Sequence, residues 1–290
     1  MEKLKKPNQN FFIKAILVDE FIPLTLLLSW SQPHPVLHGI GLGFMVLSFW
    51  CVYEIGYMEN DVIAEKHERN PNLAEAYLKS KHRIDFHRPW LWSLALAVPG
   101  LALWQLIQLP TPWSLETFEN PALLATLTQT LAVQLGQWGL FLFLTRTVFC
   151  LYNYVDEKSR VWLYPILQVL KFSGFLLFTP INPLATLYLL CLVNSRWVPY
   201  FVYRYGNLPR FPDFPMQLVH FFGVISLTLP LGISGAVSFV PEQLTALLTL
   251  ASLRASKQII TMLRNTRFFL DPQPQSSKVG RWAALLFPKV

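Results

Sequence analysis

The stretch from Tyr53 to Pro71 reads YEIGYMENDVIAEKHERNP and joins a long apolar run to a charged segment. Read as one continuing helix, it places Glu54, Asp61, Glu65 and Glu68 at intervals of seven, four and three residues. That spacing puts four carboxylates on one helix face, where like charges repel. The pattern therefore favours a divalent cation or a basic neighbour that offsets the repulsion. The alternative is a solvated acidic face at the end of a membrane helix, neutralised by nearby basic residues.

The composition indicates a lipid environment. Of the 290 residues, 53% are hydrophobic and only 14% are charged, against about 25% charged in soluble domains. The chain is therefore expected to be an integral membrane protein. Cys51, Cys150 and Cys191 all lie in apolar runs and fit neither a disulfide framework nor a metal-ligand spacing. The net charge of +7 is not taken as a sign of nucleic-acid binding, and we expect no nucleic-acid partner.

Apolar runs close to the length needed to cross a bilayer recur along the chain. They predict an all-α, polytopic membrane helix bundle with about eight transmembrane helices. The first run is the weakest, because Lys14, Asp19 and Glu20 interrupt it. The fourth is long enough to tilt or to extend past the bilayer. The predicted spans cover residues 11–30, 36–57, 90–109, 121–152, 161–178, 184–203, 216–239 and 243–263.

The links between spans alternate in charge. Residues 31–35, 110–112, 179–183 and 240–242 are short and rich in proline, and they contain no Lys or Arg. The other links and the C-terminal tail carry basic residues. Because positive charge favours the cytoplasmic side, we expect both termini to be cytoplasmic. The acidic stretch then lies at the cytoplasmic end of the second span.

The remaining segments complete the predicted organisation. A single transmembrane bundle domain is expected over residues 1–270, followed by a flexible C-terminal tail over 271–290. Residues 73–79 favour a short amphipathic helix over the cytoplasmic mouth. The basic N-terminus lacks a small-residue cleavage site, so no signal peptide is expected. The apolar patch near Trp282–Phe287 is expected to rest on the lipid surface.

Ionisable groups inside membrane spans are costly and are therefore candidates for function. Lys171, Arg254 and Lys257 are predicted to face a polar cavity rather than to snorkel or pair among themselves. Carboxylates at one helix end together with basic groups suit a phosphate or diphosphate, with Mg2+ held by the acids. Further candidates for this cavity are Asn153, Arg160, Tyr164, Gln168 and Arg196.

The acidic stretch resembles a motif of a known protein family. A predicted transmembrane helix followed by Asn60-Asp61, Glu68 and then Arg69-Asn70-Pro71 resembles the first motif of the UbiA superfamily of intramembrane prenyltransferases. That pattern is Asn-Asp-x-x-Asp-x-x-x-Asp, often followed by Arg-Pro. Asn60 and Asp61 match the opening pair, and Glu68 matches the last acid conservatively. Ala64 occupies the middle aspartate position, with Glu65 beside it.

The second half of the chain departs from the family. UbiA proteins carry an Asp-x-x-x-Asp motif at the cytoplasmic end of the sixth helix. The corresponding segment here, Asn194–Asn207, contains no acid. Asn153, Asp156 and Glu157 form an acidic group, but at the end of the fourth predicted span. Either the span count differs or the second metal cluster is missing.

The resemblance implies a helix bundle whose motif loop caps a central cavity. It also implies a Mg2+-dependent prenyltransferase acting on a prenyl diphosphate or another lipid-linked phosphate in the bilayer. A noncatalytic family member acting as a membrane assembly partner stays an alternative. The implied roles are metal binding by Asn60, Asp61, Glu65 and Glu68, catalysis by Lys171, Arg160 and Asn153, and substrate binding by Tyr164, Gln168, Arg196, Arg254 and Lys257.

A transporter of an anionic solute is a further alternative. Broken helices and paired repeats would indicate one. Pro165, Pro180, Pro199 and Pro230 allow such breaks without requiring them. The transferase hypothesis is preferred because it explains why acids and bases converge on the cytoplasmic side of an apolar bundle.

Overall fold

A computed structural model describes residues 12–67, 73–81, 85–109, 119–180, 182–208, 214–235 and 239–265. All regular structure in these residues is helical. Helix α1 is composed of Phe12–Phe21, Ile22–Leu24 and Thr25–Ser29. The helices that follow are α2 (Pro35–His67), α3 (Glu75–Ser80), α4 (Arg88–Ile107), α5 (Pro121–Tyr154), α6 (Arg160–Ser173, extended by a 3-10 turn over Gly174–Leu177), α7 (Pro183–Tyr205), α8 (Met216–Ile233) and α9 (Pro241–Asn265).

Each of the predicted spans coincides with one of these helices, and α3 confirms the short helix expected near residue 75. Four helices, α2, α4, α5 and α8, are long and apolar enough to cross a membrane, which supports an integral membrane protein. The other four long helices carry the charged residues Asp19, Glu20, Lys171, Arg196 and Arg254. The total of eight crossings and the side on which the termini lie stay predictions. The proposed tail over 271–290 and Glu68 lie outside the described residues.

The long helices form a closed ring. Apart from the short α3, each helix packs against the next one along the chain, and α9 returns to pack against α1. Helices α2 and α4 approach closely at two glycines, since a Cβ on Gly41 would lie 3.1 Å from the Gly100 carbonyl oxygen. Small residues of this kind let membrane helices approach closely.

A buried hydroxyl ties three helices of the ring together. The Ser48 hydroxyl on α2 donates to the Ser93 carbonyl oxygen of α4 at 2.8 Å. The Trp138 indole nitrogen of α5 donates to the same Ser48 oxygen at 2.9 Å. Trp138 also packs among aromatic side chains of the core. These bonds satisfy polar groups that have no access to water, as the low-dielectric interior requires.

The prolines of the links act mainly as helix starts. Pro121 and Pro183 occupy the first turns of α5 and α7, and the side chains of Asn120 and Asn182 cap those turns. This combination is a strong helix N-terminal signal. By contrast, Pro165, Pro199 and Pro230 lie within continuous helices. The helix breaks that would have indicated a transporter are therefore absent at these three described positions.

The contact between α2 and α5 gives a test of the packing. A Cβ on Gly56 would lie 2.4 Å from the Phe149 ring, a distance that side chains cannot tolerate. We expect Gly56→Ala to lower the free energy of unfolding by about 1–3 kcal/mol through overpacking. Denaturation of the purified protein in mixed micelles measures the change.

Gly139 on α5 provides the matched control, because a Cβ there meets no atom within 4 Å among the described residues. Gly139→Ala is expected to stabilise the protein by roughly 0.5–1 kcal/mol, since alanine has the higher helix propensity. Equal effects of the two substitutions would contradict the described α2–α5 interface.

Candidate functional site

A buried ion pair joins α1 to α6. The Lys171 ammonium contacts the Glu20 carboxylate, and the two side chains are only 6% and 4% exposed. The second Glu20 oxygen accepts a 2.7 Å hydrogen bond from the Trp50 indole of α2. The ammonium also lies over the Trp50 and Tyr53 rings, 4.4 and 5.3 Å from their centres. Both charges are thus compensated by oppositely charged, hydrogen-bonding or aromatic groups away from water.

A second ion pair joins α1 to α9. An Arg254 terminal nitrogen lies 2.8 Å from a carboxylate oxygen of Asp19. Residues Phe12–Phe21 are wound as a π-helix, a rare form that often occurs at functional sites. Because a π-helix has more residues per turn, the adjacent residues Asp19 and Glu20 are separated by a smaller angle. Each of the two acids contacts a basic partner on another helix.

Arg196 of α7 is a third cation in this region. Its guanidinium donates to the Gln168 side-chain oxygen at 3.2 Å and lies 5.3 Å from the centre of the Phe172 ring. It forms no ion pair with any acid that the structure describes. Electrostatic interactions also link Arg196 to Lys171 and to the Tyr164 hydroxyl. The bundle therefore holds a positive group whose charge is not matched by direct contact.

On the acidic face of α2, Glu54 lies near the cation of Lys171. Glu54 is half-buried and interacts electrostatically with both Lys171 and Asp61, as the seven-residue spacing predicts. We call the resulting set of side chains the polar interior. Its members are Asp19, Glu20, Trp50, Tyr53, Glu54, Asp61, Tyr164, Gln168, Lys171, Tyr188, Arg196, His220 and Arg254.

The acids at the end of α2 also anchor α3. The buried Asp61 carboxylate accepts a hydrogen bond from the Ala74 backbone at 3.2 Å. Glu65 accepts from the Tyr77 hydroxyl at 2.6 Å and pairs with Lys81 at 2.7 Å. The bond to the Glu65 carboxylate is the largest cause that raises the pKa of Tyr77 to about 12. The phenol therefore keeps its proton at neutral pH and donates it to this bond.

The predicted magnesium ligands are only partly assembled. Asn60 is half-buried, Asp61 is buried and Glu65 is exposed, whereas Glu68 lies outside the described residues. Within the part of the chain that the structure covers, no three His, Cys, Asp or Glu side chains form a metal-binding group. Two of the predicted ligands also hold α3. Because Mg2+ often binds through one or two carboxylates together with substrate phosphates, Asn60 and Asp61 would hold the ion only with a phosphate ligand present.

Two of the predicted catalytic residues hold the end of α5. The buried Asn153 amide donates to the Gly56 carbonyl oxygen and to Glu59, at 2.9 Å in each case. Arg160 donates to the carbonyl oxygens of Val155 and Asn153, at 3.1 and 3.0 Å. Carbonyl groups at a helix C-terminus need such donors. In the described geometry both side chains therefore support helix packing.

The predicted substrate-binding residues divide in a similar way. Tyr164 stacks on Tyr200, with ring centres 4.4 Å apart, and Gln168 is buried beside Arg196. The Arg254 side chain is only 9% exposed, but Lys257, less than one turn further along α9, is exposed. The structure thus brings Tyr164, Gln168, Arg196 and Arg254 into the polar interior with Lys171, and it places Lys257 on the outside of the bundle.

Sequence reasoning missed several members of the polar interior. Asp19 and Glu20 were noted only as weakening the first span, although an acid within an apolar run is itself a functional signal. Tyr188 and His220 offered a weaker signal as single polar residues in apolar helices. Trp50 offered none, because its role depends on the position of Glu20 in the fold.

One pocket that the structure outlines lies elsewhere. It is a shallow pocket of about 150 Å³ between α4 and α5, lined mainly by leucines together with Ala102, Gln105 and Thr128. None of its lining residues belongs to the polar interior. The candidate site therefore rests on its charged side chains and not on this pocket.

Comparison with known proteins gives no assignment. No protein-family model, no curated protein and no solved structure matches the chain.

Mutation of Lys171 and Glu20 tests the buried ion pair between them. Lys171→Met is expected to lower the free energy of unfolding by about 3–5 kcal/mol, because it leaves the Glu20 charge buried and unpaired. Adding Glu20→Gln should recover most of that loss, since the amide oxygen can still accept from Trp50. A double-mutant cycle on the purified protein measures the coupling energy.

The ion pair between Arg204 and Glu157, at 2.8 Å, serves as the control, because the Glu157 side chain is 73% exposed. The same cycle with Arg204→Gln and Glu157→Gln should give roughly 0–1 kcal/mol. A coupling energy for Glu20 and Lys171 no larger than this would refute their burial as an ion pair.

Proposed function

We propose that this protein is a membrane-embedded transferase of the UbiA type that acts on a lipid-linked prenyl phosphate or diphosphate. The observation that carries the proposal is the concentration of basic side chains inside the helix ring. Lys171, Arg196 and Arg254 lie there with the buried or half-buried acids Asp19 and Glu20. Burying such charges is costly unless they are paired or serve a ligand.

Arg196 is the residue best suited to hold the phosphate group. Its charge has no acidic partner among the described side chains, and only the Gln168 oxygen accepts from it. A guanidinium presents several N–H donors that suit phosphate oxygens. A diphosphate bound there would interact with Lys171 as well, because the two cations already interact electrostatically.

The apolar surroundings suit the proposed chemistry. In prenyl transfer the bond between the allylic carbon and the diphosphate oxygen breaks, and the diphosphate leaves with the electron pair. The resulting allylic carbocation must be shielded from water until an acceptor supplies electrons to it. The aromatic side chains around Lys171 and Arg196, among them Trp50, Tyr53 and Phe172, exclude water from such a site, and the fixed cations stabilise the leaving group.

The acid face of α2 supports a role for Mg2+ in the same proposal. Asp61 interacts electrostatically with Glu54, which in turn interacts with Lys171. The predicted metal ligands are thereby connected to the basic part of the polar interior. Mg2+ bound with the diphosphate would supply charge neutralisation at the leaving oxygens.

Binding of a prenyl diphosphate tests the proposal directly. Arg196→Gln removes the charge and is expected to weaken the binding of a radiolabelled prenyl diphosphate by about 10- to 100-fold, the value of one or two charge-assisted hydrogen bonds. Binding is measured with the purified full-length protein in maltoside micelles.

Arg204→Gln on the same helix is the matched control, since Arg204 pairs with the exposed Glu157 outside the polar interior. It should change the affinity by less than about twofold. Equal affinities for the wild type and Arg196→Gln would reject Arg196 as the phosphate ligand, and uptake of anions into proteoliposomes without prenyl diphosphate binding would favour a transporter.

The magnesium component has its own test. Asp61→Asn can still accept the bond from Ala74 but loses the negative charge that attracts a cation. We expect Mg2+ to strengthen prenyl diphosphate binding to the wild type and to have at least about tenfold less effect on this variant. Glu157→Gln, which removes an exposed acid, should retain the full Mg2+ dependence. A Mg2+ effect that Asp61→Asn leaves intact would place the ion elsewhere.

A further inference from the structure

The polar interior contains a group of buried polar atoms without partners. The Tyr188 hydroxyl, the His220 Nε2 atom and the Arg254 Nε and Nη1 atoms have no hydrogen-bond partner among the described residues. The Tyr188 and His220 residues are 0% and 3% exposed, and the Arg254 side chain is 9% exposed. A buried polar group left without a partner destabilises a protein, so a cluster of them needs an explanation.

These atoms belong to one location where α7, α8 and α9 meet. The Tyr188 and His220 rings pack edge to face, with centres 4.5 Å apart. The Arg254 guanidinium approaches the Tyr188 hydroxyl without completing a hydrogen bond, and the His220 ring lies beside the Tyr188 backbone. The three side chains that carry the unpartnered atoms are therefore neighbours in the fold.

The charges around this region favour an anion over a water molecule. Asp19 contacts only the Nη2 atom of Arg254 and compensates its charge. Arg196 interacts with Tyr188 and His220 as well and has no acidic partner among the described residues. Glu54 interacts with Lys171 and Asp61 instead. A water molecule could accept and donate hydrogen bonds there, but it would leave the charge of Arg196 uncompensated.

We propose that Tyr188, His220 and Arg254 form a binding site for an oxyanion of the phosphate class, with Arg196 supplying additional positive charge. The Tyr188 hydroxyl and the guanidinium nitrogens donate to separate oxygens, which suits a ligand with three or more acceptor oxygens. His220 donates through Nε2 when that nitrogen carries a proton. The ligand is either a free phosphate or the phosphomonoester headgroup of a lipid.

This site goes beyond the proposed transferase activity, because it requires no group transfer and no prenyl chain. The site predicts that Tyr188→Phe has opposite effects on thermal stability and on phosphate affinity. Without phosphate, Tyr188→Phe should leave the thermal unfolding midpoint unchanged or raise it, because it removes a buried hydroxyl that has no partner. With phosphate, the same variant should bind about tenfold more weakly than the wild type, because one donor to a charged group is lost.

Arg254→Lys is the second variant. Lysine keeps a positive charge for Asp19 but lacks the Nε and Nη1 donors, so phosphate affinity should fall by about tenfold or more. Tyr152→Phe is the matched control. Tyr152 is a buried tyrosine whose hydroxyl already bonds to Tyr200 at 2.7 Å. This control should lose stability with or without phosphate and should keep phosphate affinity within about twofold of the wild type.

The experiment uses the full-length protein in maltoside micelles, which contain no phosphate, and measures binding of radiolabelled inorganic phosphate by equilibrium dialysis. A parallel arm mixes phosphatidic acid into the micelles and follows the thermal midpoint. The site is supported if the wild type binds either probe, if Tyr188→Phe and Arg254→Lys weaken that binding, and if Tyr152→Phe does not. The probe that binds identifies the ligand as free phosphate or as a lipid headgroup. Absence of binding to the wild type in both arms, or binding that both variants retain, overturns it.

The outcome is separable from that of the transferase proposal. Loss of the expected prenyl diphosphate binding, together with phosphate binding that depends on Tyr188 and Arg254, would reject the transferase and leave this site in place. Prenyl diphosphate binding without the variant-sensitive phosphate binding would do the reverse.

Discussion

Charge compensation inside an apolar bundle is the constraint on which the rest of this structure depends. Glu20 and Asp19, adjacent on α1, are paired with Lys171 on α6 and Arg254 on α9. In a medium of low dielectric constant, an unpaired charge is far more costly than in water. The helices that carry these residues must therefore come together, and the two ion pairs connect α1 to helices on separate parts of the ring.

Four of the long helices do not qualify as membrane spans by length and composition, and two of these, α7 and α9, carry Arg196 and Arg254. The four that qualify, α2, α4, α5 and α8, contribute mainly apolar and aromatic surface. In α7 and α9 the basic residues reduce the hydropathy, whereas α1 is wound in three short segments and α6 has only 14 residues. Hydropathy treats each helix as if it met lipid alone, whereas a ring of helices lets one helix satisfy the polar groups of another.

The acid face of α2 serves two parts of the molecule. Its middle, at Glu54, interacts with Lys171 in the interior, and its end holds α3 through Asp61 and Glu65. A ligand that attracted these acids would compete with the bonds to Ala74, Tyr77 and Lys81. The polar interior and the position of α3 are therefore connected through one helix face. This connection gives the acidic stretch a structural role in addition to the metal-binding role that the resemblance implies.

The sequence by itself determined the membrane class, the positions of the helices and the single acid face of α2. Apolar run length and proline-rich links act within a few residues of where they lie, so local reasoning detects them. Only the tertiary structure decided that Glu20 pairs with Lys171, that Arg160 and Asn153 hold the end of α5, and that Lys257 is exposed while Arg254 pairs with Asp19. Those outcomes depend on which helices become neighbours in the ring. Buried charges select their partners from side chains that are distant in sequence, and no local pattern encodes that choice.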